Sequence, residues 1–134
     1  MKVVLDSNVG IAAFAARGLC SSLFELCLSE HQVVSSEHLL GEVRKALYKI
    51  KVPRTRVDEI MDLLESRTHL EKPKKLTVKV CRDPDDAKVL GLAVATQSDY
   101  IVTGDQDLLC LCAFESIPIV SPRNFWEALK NSKK

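Results

Sequence analysis

Short apolar runs that alternate with helical stretches constrain this chain most. Val3-Val4-Leu5, Gln32-Val33-Val34, Tyr100-Ile101-Val102-Thr103 and Ile117-Pro118-Ile119-Val120 are rich in β-branched residues and nearly free of charge. Runs of this kind mark strands buried on both faces, as in parallel sheets covered by helices. Between them lies helical patterning at Val9 to Phe14. A second stretch, capped by Ser21 or Ser22 and running through Leu28, sets Leu23, Phe24 and Cys27 on one face. A third follows Ser35-Ser36, with Leu39, Leu40, Val43 and Leu47 at helical spacing. The expected fold is α/β, a three-layer α/β/α arrangement with a central, mainly parallel sheet of four to five strands.

Local signals refine this outline. Pro53 should end the third helix, and Thr55-Arg56-Val57-Asp58 reads as a capping box opening a helix with Ile60, Leu63 and Leu64 inward. Leu76 to Val80 alternates, as an edge strand or an extended arm would. Asp83-Pro84-Asp85-Asp86 is a strong helix start, with Asp83 as N-cap, proline in the first turn and acids at the positive end of the dipole; that helix should reach about Thr96. Gly104-Asp105-Gln106-Asp107 closes the Tyr100 strand before a short helix from Leu108. Pro118 points to an edge strand. Ser121-Pro122 opens a last helix carrying Phe125, Trp126 and Leu129, with residues from Lys130 onward a frayed tail.

A length of 134 residues suits one domain, here residues 1–134. No apolar segment is long enough for a bilayer, and Asp6 arrives too early for a secretory apolar region, so a cytoplasmic protein is expected. The 5 cysteines are odd in number and include no Cys-x-x-Cys pair, which argues against a disulfide framework or thiolate zinc site. His31, His38 and His69 share no ligand spacing and are expected at the surface. Net charge is only +1, yet bases gather at Arg44 to Arg56 and Lys72 to Arg82 while acids gather at turns. A substrate that meets both a metal and a phosphate backbone suits that division.

The acids carry the chemistry. Sites in open α/β sheets form beyond the carboxyl ends of the strands. Asp6 directly follows the first strand, and Asp105 follows the Tyr100 strand, so both belong to one sheet edge. Asp86 lies in the first turn of the helix leading into that strand. Glu42 lies two turns into the helix after Val33-Val34, at the margin of its apolar face. Clustered carboxylates raise one another's pKa unless a cation sits between them. With no histidine or cysteine accompanying the acids, the hard, oxygen-seeking Mg²⁺ or Mn²⁺ suits them. Metal-assisted phosphodiester hydrolysis is the reaction such a site performs.

These motifs also carry a resemblance. Asp6-Ser7-Asn8 after the first strand, Glu42 in Leu-Gly-Glu-Val, Arg82-Asp83-Pro84-Asp85-Asp86 and Val102-Thr103-Gly104-Asp105-Gln106-Asp107-Leu108 are similar to the PIN domain, from Val3 to about Phe125. The likeness is strongest to its bacterial and archaeal VapC-like branch, the toxins of toxin–antitoxin pairs. It implies a metal-dependent endoribonuclease whose catalytic and metal-binding quartet is Asp6, Glu42, Asp86 and Asp105. Asp107 is implied as an auxiliary acid, Asp85 as an outer ligand, Asn8 as a polar neighbour and Thr103 as a group orienting a carboxylate. It further implies an RNA substrate, a cognate antitoxin and a homodimer.

Rival readings can be weighed on single residues. A haloacid-dehalogenase-like phosphatase also starts with an aspartate after its first strand but needs an acid two residues on, where this chain has Asn8. A receiver-like signalling module needs adjacent acids after that strand and a lysine after the last; here Asp6 stands alone and Ser121-Pro122-Arg123 follows Val120. A catalytically silent PIN-fold binding protein is the third alternative, and the intact quartet speaks against it.

Overall fold

The computed structural model describes residues 1–76 and 83–132. In chain order the elements are β1 (Lys2–Leu5), α1 (Ser7–Ala15), α2 (Leu19–Glu30), β2 (Gln32–Ser35), α3 (Glu37–Lys49), α4 (Arg54–Arg67), β3 (His69–Leu70), α5 (Pro84–Thr96), β4 (Tyr100–Val102), α6 (Gln106–Leu109), β5 (Ala113–Phe114), β6 (Ile117–Val120) and α7 (Pro122–Ser132). The sheet runs β3-β2-β1-β4-β6-β5. All its pairs are parallel except β5 against β6.

The period of two in a strand divides the core. Val3, Leu5, Val33 and Val102 face one layer, packing with residues of α1, α2, α3, α4 and α7. Val4, Val34, Ile101 and Ile119 face the other, against α5 and α6. Adjacent residues in one strand thus enter different cores, which explains why the runs are apolar without alternation. Each such valine or leucine contributes about 1.5–3 kcal/mol when fully buried. Phe125 and Leu129, both buried, anchor α7 in the first layer.

The predicted three-layer architecture stands, and several boundaries differ. The sheet has six strands because it gains two-residue strands at its rims, β3 and β5, too short to leave a periodic signal. Ser21 and Ser22 do not cap α2, which starts at Leu19 with Gly18 as N-cap and no side-chain cap bond. α3 stops at Lys49, before Pro53, where the chain turns through Lys51 at φ 65. Pro53 is instead the N-cap residue of α4, and no side-chain cap bond forms there, so the capping box at Thr55 is absent. Leu63 faces outward at 37% exposure, while Val57, Ile60, Met61 and Leu64 are buried. Pro118 is not on an edge strand, since β5 lies outside β6. Its missing N–H is tolerated because pairing with β4 begins one residue later, at Ile119. α7 continues past Lys130 to Ser132.

Leu76, in a segment without regular structure, packs against the second core; the rest of the expected Leu76–Val80 strand lies outside the described residues. Before it, residues 71–76 cross α5 as a strap, with Lys74 N donating to Gly91 O at 3.0 Å. The approach requires glycine, because a Cβ on Gly91 would overlap the Lys74 carbonyl oxygen. Cys20, Cys27, Cys110 and Cys112 are free thiols. Among the described residues no single helix is long and apolar enough to cross a membrane. The apolar pair α1 and α2 bends by 110° and buries Val9, Ala13, Leu23, Phe24 and Cys27 in the core.

Candidate active site

The topology creates a crevice at the carboxyl edge of the sheet. β2 and β4 flank β1 on opposite sides, so successive connections diverge there, the arrangement in which open α/β sheets bind ligands. β1 and β4 also end level, with Leu5 paired to Val102 and Asp6 N donating to Val102 O at 2.9 Å. The residues after each strand are therefore brought face to face.

Asp6 is both helix cap and site residue. Its Oδ1 accepts from Ser7 N at 2.7 Å at the start of α1, while its Oδ2 accepts from the Thr103 hydroxyl at 2.8 Å. The same Thr103 oxygen accepts from Asp105 N at 3.0 Å and from Asn8 Nδ2 at 3.3 Å. Asn8 Oδ1 in turn accepts from Gly104 N at 3.0 Å. Thr103 is fully buried and Asp6 nearly so. Burial pushes the Asp6 carboxyl above its ordinary pKa; the Thr103 and Ser7 hydrogen bonds oppose this, and the charge of Asp105 adds to it.

Asp86 stands in the first turn of α5, behind Asp83, which caps the helix by accepting from Asp85 N at 2.9 Å. Asp105 caps α6 by accepting from Asp107 N at 2.9 Å. Carboxylate oxygens of Asp86, Asp105 and Asp107 lie within 4.8 Å of one another. Asp86 is pushed up to about 7, first by burial, then by its hydrogen bond with Asp105 and by the charges of Asp105, Asp83 and Asp6. Neighbouring like charges of this kind favour the neutral form of the more buried acid, here Asp86.

Glu42 reaches the same edge from α3. Burial raises its carboxyl, His38 opposes the rise, and the charges of Asp85 and Asp6 reinforce it. Asp6 is the common neighbour: its charge raises the carboxyl of Glu42 on one side and that of Asp86 on the other, and the charge of Asp105 in turn raises Asp6. Asp107 joins the Asp86 side, and Asp85 joins Glu42. Asn8 and Thr103 sit behind Asp6 as hydrogen-bonding supports.

Two residues were missed. His38 is not a surface histidine apart from the acids: its Nε2 lies 3.7 Å from Glu42 Oε1 and 3.1 Å from Asp85 Oδ1. The expectation that no histidine accompanies the acids is therefore corrected. The missed signal is the i,i+4 spacing of His38 and Glu42, which places both on one helix face. Ser7 is the second: its hydroxyl lies near the carboxyls of both Asp6 and Glu42 and favours their charged forms. Nothing in a lone serine after an aspartate announces that.

The donor set fits a divalent cation. Four acids are gathered with raised pKa values or within 4.8 Å of a group that has one. Among the described residues no lysine or arginine pairs with Asp6, Asp86 or Asp105. Such a cluster is stabilised by a hard cation with oxygen ligands.

Comparisons with known proteins accord with this geometry. A family model for the PIN domain matches residues 2–107. No curated protein sequence matches the chain. Among solved structures, VapBC2 from Rickettsia felis, bound to a DNA fragment from its promoter, is similar with TM-score 0.62 and 13% identity, over 90% of this chain and 98% of that one. VapC20 from Mycobacterium tuberculosis, described as a toxin that cleaves the Sarcin-Ricin loop, gives 0.56 and 17%, over 87% and 98%. FitAcB from Neisseria gonorrhoeae gives 0.54 and 14%, over 90% and 98%. At these identities the likeness is one of fold.

Proposed function

The chain belongs to the PIN-domain family, whose model matches most of its length, and from that premise we propose that it is a divalent-metal-dependent endoribonuclease acting as the toxin of a toxin–antitoxin pair. The observation that carries this reading is the placement of Asp6, Asp86 and Asp105 at the switch point of the sheet, with Glu42 reaching Asp6 from α3. Mg²⁺ or Mn²⁺ held by these four, in one or two ions, supplies activation of a water and shielding of the charge that develops on the phosphate.

The chain's own residues orient the acids. Thr103 pins one oxygen of Asp6 by donating to it and fixes the Asp105 backbone by accepting from it. Asn8 ties Gly104 to the same network. The raised carboxyl of Asp86 is held neutral beside the charge of Asp105, and a cation bound by both would relieve the same repulsion. On the strap, Lys72, Lys74 and Lys75 are exposed and offer contacts to a phosphate backbone.

Support for the toxin role is the kinship in fold with VapBC2, VapC20 and FitAcB. A cognate antitoxin that covers the acidic crevice by inserting an arginine, and a homodimer, complete the reading. The phosphatase alternative loses its acid: Asn8 occupies the required position, with its amide engaged by Gly104, Asp6 and Thr103.

The test is incubation with single-stranded and structured RNA in Mg²⁺ or Mn²⁺, before and after chelation. The expected result is internal cleavage that chelation abolishes and added metal restores. Hydrolysis of a phosphomonoester without RNA cleavage would favour the phosphatase, and binding without any hydrolysis the silent PIN fold.

A further inference from the structure

His38 and Asp85 face each other across the carboxyl edge of the sheet from helices on opposite layers. α3 brings His38 and, one turn later, Glu42; the first turn of α5 brings Asp85. The His38 Nε2, the Glu42 carboxylate and the Asp85 carboxylate lie within 4.8 Å of one another. Nε2 is shielded from solvent yet makes no aligned hydrogen bond, although two carboxylate oxygens stand 3.1 and 3.7 Å away. A ring nitrogen set between two carboxylates is satisfied either by a proton on the ring or by a cation that all three ligate. Two donors that bind one cation at about 2.0–2.2 Å stand about 2.8–3.6 Å apart, from octahedral to tetrahedral angles; the His38–Asp85 separation of 3.1 Å falls inside that range and the His38–Glu42 separation of 3.7 Å just outside it.

We propose that His38, Glu42 and Asp85 form a nitrogen-containing cation site that shares Glu42 with the acidic quartet and favours transition cations such as Mn²⁺ over Mg²⁺. The inference rests on reading the quartet as a divalent-metal centre, and it deepens that reading by naming which cation the site selects. An imidazole nitrogen is a poor partner for Mg²⁺, which prefers oxygen and retains its waters, and a good one for first-row transition ions. Glu42, common to both groups, couples occupancy of the His38 site to the quartet. Lys88 Nζ, 3.8 Å from Asp85 Oδ1, remains at the rim, where half its side chain is exposed.

The experiment reads binding, not activity. Mn²⁺ is titrated into the full chain and followed by electron paramagnetic resonance, with pulsed measurement of coupling to ¹⁴N, in wild type, His38→Gln and Asp85→Asn. Circular dichroism confirms that the variants are folded. The expected result is ¹⁴N coupling in wild type that is lost in His38→Gln, with Mn²⁺ affinity reduced about tenfold or more in both variants and Mg²⁺ affinity, measured by calorimetry, nearly unchanged. Mn²⁺ bound without ¹⁴N coupling would overturn the proposal, as would coupling that survives in His38→Gln. Failure of wild type to bind Mn²⁺ would overturn both this site and the metal-dependent nuclease reading. Coupling to His38 in a protein that cleaves no RNA upholds the site and rejects the nuclease.

Discussion

Thr103 Oγ1 donates a 2.8 Å hydrogen bond to Asp6 Oδ2, joining positions 97 residues apart inside the sheet edge. One hydroxyl serves three partners there, since it also accepts from Asp105 N and Asn8 Nδ2. Thr103→Val keeps the shape and removes all three. Leaving a buried carboxylate and a backbone N–H short of partners costs about 1–3 kcal/mol, read as a lower urea midpoint. Metal affinity should fall with it, because Asp6 loses its fixed orientation. An unchanged midpoint would remove Thr103 from the support of the site.

Asp86 gives the metal-free protein a defined pH response. Its folded carboxyl titrates at about 7, above the ordinary value of 3.8. Between these values the folded chain holds a proton that the unfolded chain has released, so stability falls as pH rises through that window. The Tm of wild type relative to Asp86→Asn should therefore decline from pH 4.5 to 7.5 and level off above it, as measured by calorimetry in chelator. A difference that stays flat over the window would show that Asp86 is not held protonated.

Two glycines should respond to the same substitution with opposite signs. Gly91→Ala drives a methyl into the Lys74 carbonyl, so either the strap or α5 must shift, at about 1–3 kcal/mol. Gly41 lies inside α3 with nothing within 4 Å of an added Cβ, so Gly41→Ala should stabilise by about 0.5–1 kcal/mol through helix propensity. Urea unfolding of both variants checks the pair. Equal effects would mean that the strap does not press on α5.

Much of this was legible in the chain itself. Val3-Val4-Leu5 and Val33-Val34 declared a parallel sheet because both faces of each strand are buried. Asp83-Pro84 declared the start of α5 because capping chemistry is local. Features set by tertiary packing did not show. β3 and β5 are two residues each and exist through their neighbours, α2 begins on a glycine without a side-chain cap, and α3 ends before the proline expected to stop it. At the site, Asp6 and Asp105 follow from strand ends, and the position of Asp86 follows from a helix start. Glu42 depended on family likeness. His38 was hidden because its second partner, Asp85, is 47 positions away along the chain and comes near only through the crossing of two layers.

The most direct test of the acidic quartet is RNA cleavage in Mg²⁺ or Mn²⁺ by wild type, Asp6→Asn and Asp86→Asn at equal concentration, each confirmed as folded by circular dichroism. Wild type should cleave internally. Each variant should lose on the order of a hundredfold or more in rate, the scale on which electrostatic stabilisation of a transition state acts. Equal cleavage by all three proteins would contradict the account.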